Sequence, residues 1–176
     1  MTRWKKGPAG EPAGPPASEE EQERAAREIV LRQLAMMARS REQLREKILA
    51  RGVSEPVAER VLDRFTEVGL VDDAAFAESL VRTQRESRGL SRRGLAAELT
   101  KRGVDREVLA EAVAAVGDED EYETALRLAR KRASATAGLE RPVRERRIAG
   151  MLARKGYGAS VAYRAVREAL EEEPGY

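Results

Sequence analysis

The sequence predicts an all-α protein of three tandem three-helix repeats, helix-turn-helix-like units that stack into an elongated, curved array. A short basic motif ending in glycine recurs at Gly52, Gly103 and Gly156; the second glycine follows the first by 51 residues and the third follows the second by 53. A period of this length indicates one supersecondary unit copied in tandem. Apolar residues recur at helical spacing between these glycines, and aromatic residues make up only 4% of the chain, which disfavours a sheet core.

The first repeat is predicted over residues 19–71, after a segment, residues 1–18, that is rich in proline, glycine and alanine. That segment has too little apolar surface to offset the entropy cost of ordering, so we expect a disordered tail. The second helix of the repeat begins at Ser40, where Gln43 completes a capping-box spacing, and ends at Gly52, which suits the left-handed position after a helix. The first and third helices carry apolar stripes at i, i+4 and i+8: Ala26, Val30 and Leu34, then Val57, Val61 and Phe65.

The second and third repeats, predicted over residues 72–117 and 118–172, copy this arrangement. Phe76 and Tyr122 stand at equivalent positions, and each is followed by a leucine four residues later. This spacing indicates core aromatics rather than recognition aromatics. The third repeat has seven more residues than the second between its aromatic and its final glycine. We expect these additional residues to form a longer loop around residues 133–142.

Two features of the predicted helices need separate explanations. The carboxylates between Asp118 and Glu123 are of a kind that performs acid–base catalysis or holds Mg²⁺. They stand at a helix start, however, where the macrodipole favours negative charge, and we therefore interpret them as capping residues. Gly94 lies early in its helix, where glycine costs about 1 kcal/mol relative to alanine. The sequence offers no physical reason for this glycine; a mobile helix start is one interpretation.

The composition argues against an enzyme. The chain of 176 residues contains no cysteine and no histidine, which removes thiol and imidazole catalysis, disulfides and the usual zinc sites. Neither a phosphate-binding P-loop nor a G-x-G-x-x-G fingerprint is present. We therefore predict no catalytic residue, no metal and no cofactor. No apolar run approaches the roughly 20 residues that span a bilayer, and no hydrophobic stretch follows the basic N-terminus, so we expect no membrane contact and no signal peptide. A chain without cysteine fits a reducing cytoplasm.

Charge is distributed in alternating blocks, although the formal net charge is only +2. Residues 79–103 contain seven basic residues and two acidic ones, whereas residues 104–126 contain one basic residue and eight acidic ones. Residues 127–155 are again basic, with ten cationic side chains against two carboxylates. One basic block therefore lies within the second repeat and the other within the third.

These basic blocks supply the candidate binding residues. In a stacked array they would form a stripe that suits a phosphate backbone or an acidic protein groove, although most charged runs are only solvated helix faces. Few aromatics are available for base stacking, which disfavours single-strand recognition by stacking. The predicted partner-binding or DNA-binding residues are Arg82, Arg85, Arg88, Arg92, Arg93, Lys101, Arg102, Arg146, Arg147, Arg154 and Lys155.

Several motifs resemble those of the RecX regulatory proteins. The run from Gly69 to Ala77, with its acidic pair and aromatic, then Arg82, Arg88-Gly89 and the stretch from Leu95 to Gly103, is similar to the central signature of that family. The flanking stretches 40–44 and 147–157 resemble the first and last repeats of the family. The likeness covers about residues 25–170. It departs at Gly158, where the family tends to have a helix-capping serine.

The resemblance implies a non-catalytic helical protein that binds RecA and lies in the groove of the filament that RecA forms on single-stranded DNA. It implies inhibition of recombinase and ATPase activity, by blocking filament extension or promoting disassembly, in cytoplasmic DNA repair and the SOS response. We expect a monomer, and direct contact with DNA stays open. Two alternatives remain at this point. One is an autonomous DNA-binding regulator of helix-turn-helix type, and the other is an interaction scaffold whose charges only keep it soluble.

Overall fold

A computed structural model describes residues 18–171, and all the regular secondary structure in that range is helical. These described residues form two compact units that divide between Asp72 and Asp73, here unit 1 and unit 2. The all-α class and the three-helix repeats are confirmed. Within the described range the helices are α1 (Glu19–Met36), α2 (Arg41–Leu49) and α3 (Glu55–Glu67) in unit 1, and α4 (Asp73–Arg88), α5 (Arg92–Lys101), α6 (Arg106–Ala114), α7 (Asp118–Ser134), α8 (Arg141–Arg154) and α9 (Ala159–Glu171) in unit 2.

The predicted tail lies outside the described residues, apart from Ser18, whose hydroxyl caps α1 by accepting a hydrogen bond from the N–H of Glu21. None of the helices in the described range is long and apolar enough to cross a membrane.

Unit 1 is a three-helix repeat with the local signals that its sequence predicts. Ser40 and Gln43 form the predicted capping box, because each side chain accepts a hydrogen bond from the other residue's N–H at 3.2 Å. Gly52 has a φ of 79°, the left-handed conformation that glycine adopts without strain. Ser54 precedes α3 but makes no capping bond through its side chain; its N–H instead donates to Gln22 Oε1 on α1 at 2.8 Å.

The surface of unit 1 carries a network in which arginines of α2 meet carboxylates of α3. Arg41 donates to Glu59 at 2.6 Å and to Asp63 at 2.8 Å, and Arg45 Nε donates to Glu59 at 2.8 Å. The hydrogen bond from Arg41 is the largest cause that lowers the pKa of Glu59. Arg60 of α3 likewise pairs with Glu19 and Glu23 of α1. These arginines therefore serve the packing of their own repeat.

Unit 2 contains the second repeat, α4–α6, and the third repeat, α7–α9, each with its own apolar core. Phe76 and Tyr122 are buried at corresponding places, as their spacing predicts. The fully buried side chains of the second repeat include Leu95 and Leu99, and those of the third include Ile148 and Leu152. Burial of such leucine and isoleucine side chains supplies about 2–3 kcal/mol each.

Gly94 has a packing role that its sequence position did not reveal. The start of α5 in the second repeat lies against the end of α8 in the third. A Cβ atom on Gly94 would lie 2.5 Å from the backbone oxygen of Lys155, and one on Gly156 would lie 2.6 Å from the backbone nitrogen of Gly94. Two glycines therefore allow the backbones of the two repeats to touch, which replaces the interpretation of Gly94 as a mobile helix start.

Hydrogen bonds complete this contact between the two repeats of unit 2. The N–H of Ser91 donates to the carbonyl oxygen of Lys155 at 3.1 Å, and the hydroxyl of Tyr157 donates to the carbonyl oxygen of Gly89 at 3.0 Å. Burial raises the pKa of Tyr157 to about 12, with a further contribution from the carboxylate of Glu121. A buried, satisfied phenol at the junction fixes the position of the third repeat against the second.

The seven additional residues of the third repeat do not all enter a loop, so that prediction is only partly right. The connection between α7 and α8 spans residues 135–140, whereas the corresponding connection between α4 and α5 spans residues 89–91. This accounts for three of the seven residues; the other four lengthen α8 to 14 residues, against 10 in α5. Pro142 in the first turn favours this earlier helix start, and Arg144 ties the turn down by donating to the carbonyl oxygen of Ala133 at 3.0 Å.

Candidate anion-binding groove in unit 2

The predicted binding residues all lie in unit 2, and the structure brings them together in pairs around separate grooves. Arg82 and Arg85 border a groove between α4, α6 and α7. Arg88 and Lys155 border a groove between α4, α7 and α8, and Arg93 and Arg146 border one between α8 and α9. Five further predicted residues line none of these three grooves: Arg92, Lys101, Arg102, Arg147 and Arg154. Their role in binding stays a prediction.

Several of the predicted cations already contact carboxylates of unit 2. Arg92 Nε donates to Glu121 Oε2 at 3.0 Å, and its guanidinium also contacts Asp118. The hydrogen bond with Asp118 is the largest cause that raises the pKa of Arg92. Arg88 and Arg102 share the carboxylate of Glu98, at 3.3 and 3.7 Å. Arg92 therefore joins α5 to α7, and the acidic start of α7 serves the contact between repeats as well as its own helix end.

The groove between α4, α7 and α8, here called the basic groove, has a volume of about 450 Å³. The apolar side chains of Leu128 and Met151 form part of its lining, and Glu86 is the single acidic residue among the lining residues. The cationic side chains that line it are Arg88, Arg127, Lys131, Arg132 and Lys155. Five cations against one carboxylate make this a strongly electropositive concavity.

Helix α7 concentrates three of these cations on adjoining positions. Arg127 and Lys131 are four residues apart, so their side chains are neighbours on the helix surface, and Arg132 follows directly. Like charges at this spacing destabilise a helix by a few tenths of a kcal/mol. Within residues 18–171 none of the three has a carboxylate within ion-pair distance. The helix thus accepts an internal repulsion that an anionic ligand would relieve.

Lys155, which lines the basic groove at the end of α8, also lies in an environment with an excess of positive charge. Its ammonium group donates to the carbonyl oxygen of Arg88, a neutral acceptor. Burial lowers the pKa of Lys155, and the positive charge of Arg88 lowers it further. An anion in the groove would favour the charged ammonium and offset both effects.

Sequence reasoning missed Arg127, Lys131 and Arg132 as site residues, although it counted them in a basic block. A usable signal was present. When the repeats are aligned on Phe76 and Tyr122, Lys131 falls at the position of Arg85.

No group of three acidic, histidine or cysteine residues in the described part of the chain is arranged to hold a metal ion. The five cations of the basic groove offer positive charge and hydrogen-bond donors, which is the chemistry that recognises an anion.

Comparison with known proteins places these features in a family. Three family models match the chain in order: the first three-helix domain of RecX over residues 26–65, the second over 72–113 and the third over 118–166. The regulatory protein RecX of Thermobifida fusca is 49% identical over 92% of this chain and 88% of its own length. That of Streptomyces coelicolor is 48% identical over 93% of this chain and 84% of its own length. The crystal structure of RecX from Lactobacillus salivarius matches with a TM-score of 0.77 at 20% identity, covering 86% of this chain and 98% of that one, which shows a shared fold.

Proposed function

This chain belongs to the RecX family of regulatory proteins, and from that premise we propose that it binds RecA and the RecA–DNA filament and inhibits recombinase and ATPase activity. It thereby regulates DNA repair and the SOS response in the cytoplasm, acting as a monomer without a cofactor. The observation that carries the proposal, beyond family membership, is the basic groove of unit 2.

The basic groove suits a polyanionic filament for two reasons. The guanidinium groups of Arg127 and Arg132 present several donors in a plane and match the oxygens of a phosphate, while Lys131 and Lys155 act as compact point charges. Neutralising phosphates also releases their condensed counterions, which gives affinity without any reading of base sequence. Of the groove's lining residues, none is aromatic, so no base stacks there and binding is independent of sequence.

Inhibition requires no chemistry from this chain. A protein that binds the filament more tightly in one state than in another shifts the filament toward the favoured state by that difference in affinity. Contacts with successive subunits or phosphates would slow addition of RecA or favour a conformation that does not hydrolyse ATP. Binding and charge complementarity are sufficient for this action.

The proposal is tested by measuring ATP hydrolysis by RecA on single-stranded DNA with increasing amounts of the full-length protein. The wild type should lower the rate. The triple variant Arg127→Gln, Lys131→Gln, Arg132→Gln should need at least about tenfold more protein for the same inhibition, equivalent to about 1.4 kcal/mol. A matched control removes three exposed cations of unit 1 with Arg24→Gln, Arg32→Gln and Arg51→Gln, and should stay within twofold of the wild type. Absence of inhibition by excess wild-type protein would refute the proposed function.

The helix-turn-helix alternative is separated by duplex DNA binding without RecA. A gel-shift series over random and genomic sequences, between about 50 and about 200 mM salt, measures sequence preference and salt slope together. The proposal predicts weak binding with no preference among sequences. Strong preference for one sequence would favour the autonomous regulator.

A further inference from the structure

A second groove of unit 2, with a volume of about 920 Å³, lies between α8 and α9 and is here called the apolar groove. Small side chains, among them Ala149, Ala153 and Ala162, line it together with Val166. The ring of Tyr163 borders it and is 70% exposed. Together the tyrosine and the small apolar side chains form a continuous apolar surface, and such surfaces mark interaction sites.

The apolar groove and the basic groove lie on opposite sides of α8. Ala149 and Ala153 face the apolar groove, whereas Met151 and Lys155 border the basic groove. Each residue of an α-helix turns by about 100°, so positions two apart point about 200° away from each other. The two grooves are therefore separate surfaces of the same helix, and each can be altered without changing the other.

The shape of the apolar groove suits a helix. On α8 its lining runs from Arg141 to Ala153, a rise of about 18 Å at 1.5 Å per residue. On α9 the lining runs from Ala159 to Glu171, about 18 Å by the same measure. Walls of this length hold about three helical turns, and small residues along them let a third backbone approach closely. This is the geometry in which an amphipathic helix lays its apolar face into a groove.

The rim of the apolar groove specifies the charge of the occupant. Arg141 pairs with Glu145 at 3.0 Å, and Arg167 pairs with Glu171 at 3.7 Å, so these four side chains are balanced. The remaining rim cations, Arg93 and Arg146, are exposed and have no carboxylate within ion-pair distance among residues 18–171. An occupant therefore gains from an apolar stripe flanked by carboxylates.

We propose that the apolar groove binds one amphipathic helix of about three turns, apolar on one face and acidic on its flanks, supplied by RecA. This inference rests on the proposed function and divides it between two surfaces, with DNA phosphates at the basic groove and protein at the apolar groove. A nucleic acid strand gains little from alanine and valine walls. A second copy of this chain docked symmetrically would present the same face, whose carboxylates Glu145 and Glu171 are already paired, and so would offer Arg93 and Arg146 no free carboxylate.

Using both grooves at once strengthens binding without further contacts. When one surface is engaged, the second partner is held at a high effective concentration, and the combined affinity exceeds either alone by a factor of about 10²–10⁴ when the geometry permits both. A filament presents protein and DNA together, whereas free RecA or free DNA presents only one of them. The arrangement therefore favours the assembled filament over its components.

The experiment measures binding of DNA-free RecA to the immobilised full-length protein, and binding of a fluorescent single-stranded oligonucleotide in parallel. Tyr163→Glu places a carboxylate at the exposed edge of the groove and should weaken RecA binding at least about tenfold, with oligonucleotide affinity within twofold of the wild type. Tyr163→Phe keeps the ring and should retain RecA binding. The matched control is Leu31→Glu on α1, a 54% exposed apolar residue of unit 1, which should change neither affinity.

The other outcomes distinguish failure of the apolar groove as a binding surface from failure of the proposed function. If wild-type protein binds RecA and inhibits its ATPase while Tyr163→Glu binds equally well, the apolar groove is not the protein-binding surface and the proposed function stands. If wild-type protein neither binds nor inhibits RecA, the proposed function fails and this inference fails with it. If sedimentation shows a wild-type dimer that Tyr163→Glu dissociates, the occupant is a second copy of this chain and the inference is wrong.

Discussion

Units 1 and 2 are both rich in arginine but use these side chains in different ways. In unit 1, Arg41, Arg45 and Arg60 each contact carboxylates on another helix of the same repeat. In unit 2, Arg127 and Arg132 face a groove whose lining includes a single carboxylate. These three arginines of unit 1 are therefore part of its packing, whereas Arg127 and Arg132 have no carboxylate within ion-pair distance among residues 18–171. A count of charges does not distinguish the two cases.

The pKa shifts of Glu59 in unit 1 and Lys155 in unit 2 show the same difference between the two units. Hydrogen bonds from Arg41 and Arg45 lower the pKa of Glu59, so the charged carboxylate is favoured where it lies. Burial and the neighbouring Arg88 lower the pKa of Lys155, so its charged form is disfavoured. The charge of Glu59 is therefore matched by arginines within unit 1. The basic groove carries a small electrostatic cost that a bound anion would offset.

The largest expected effect comes from breaking the contact that builds the basic groove. Gly94→Ala forces a Cβ to within 2.5 Å of the backbone oxygen of Lys155, and should lower the free energy of unfolding by about 2–3 kcal/mol, as overpacking of backbone contacts does. At a helix position without such a contact the same change would stabilise by about 1 kcal/mol. Urea denaturation followed by circular dichroism measures the sign. Gly138→Ala, which meets nothing within 4 Å, should stay within about 0.5 kcal/mol of the wild type.

A smaller effect should follow from adding a carboxylate to the basic groove, as a counterpart of the carboxylates that pair with arginines in unit 1. Ser87 lines the groove and is exposed. Ser87→Glu should lower the affinity for a single-stranded oligonucleotide about tenfold, because the added carboxylate competes with phosphate for the same cations, and should leave unfolding unchanged. Fluorescence anisotropy measures the affinity. Ser160→Glu adds the same charge at the exposed start of α9 and serves as the control; equal losses for the two variants would contradict a localised site.

The smallest expected effect concerns pH and the junction between the repeats of unit 2. Because the pKa of Tyr157 is raised to about 12, the unfolded chain releases the phenol proton at lower pH than the folded one. The stabilisation from this group is therefore complete below about pH 10 and is lost as pH rises toward 12. Tyr157→Phe should lose about 1 kcal/mol at pH 7 with the hydrogen bond to Gly89, and its stability should fall less steeply between about pH 10 and 12.

Unit 1 contains no tyrosine, so tyrosinate absorbance during that titration reports on the rest of the chain. Identical slopes for Tyr157→Phe and wild type over the alkaline range would show that the phenol ionises equally easily in the folded and unfolded states.

Local features of this fold could be predicted well because they depend on residues three or four apart. The capping box of Ser40 and Gln43, the left-handed Gly52 and the buried Phe76 all follow from such short spacings. The length of α8 was harder to predict. Pro142 in its first turn and the hydrogen bond from Arg144 to Ala133 favour a helix in a segment whose composition also suits a loop. Element boundaries depend on such small differences in free energy.

The candidate site shows a different limit. Charge blocks pointed to the second and third repeats, yet Arg127, Lys131 and Arg132 were not selected, and Arg92 was selected although it pairs with Glu121. Which cations meet carboxylates depends on how α7 lies against its neighbours. The residues within a few positions of these side chains in the sequence do not determine how α7 packs.

By itself the sequence determined the helical class, the three repeats, the ends of most helices and the core positions of each repeat, because short-range hydrogen bonds and helical periodicity specify all of these. Tertiary structure alone decided that Gly94 touches the third repeat and that Lys155 lies beside Arg88, 67 residues earlier in the chain. It also decided which arginines stay unpaired. Electrostatic partnership depends on distances through space, and those distances are set only when the repeats pack.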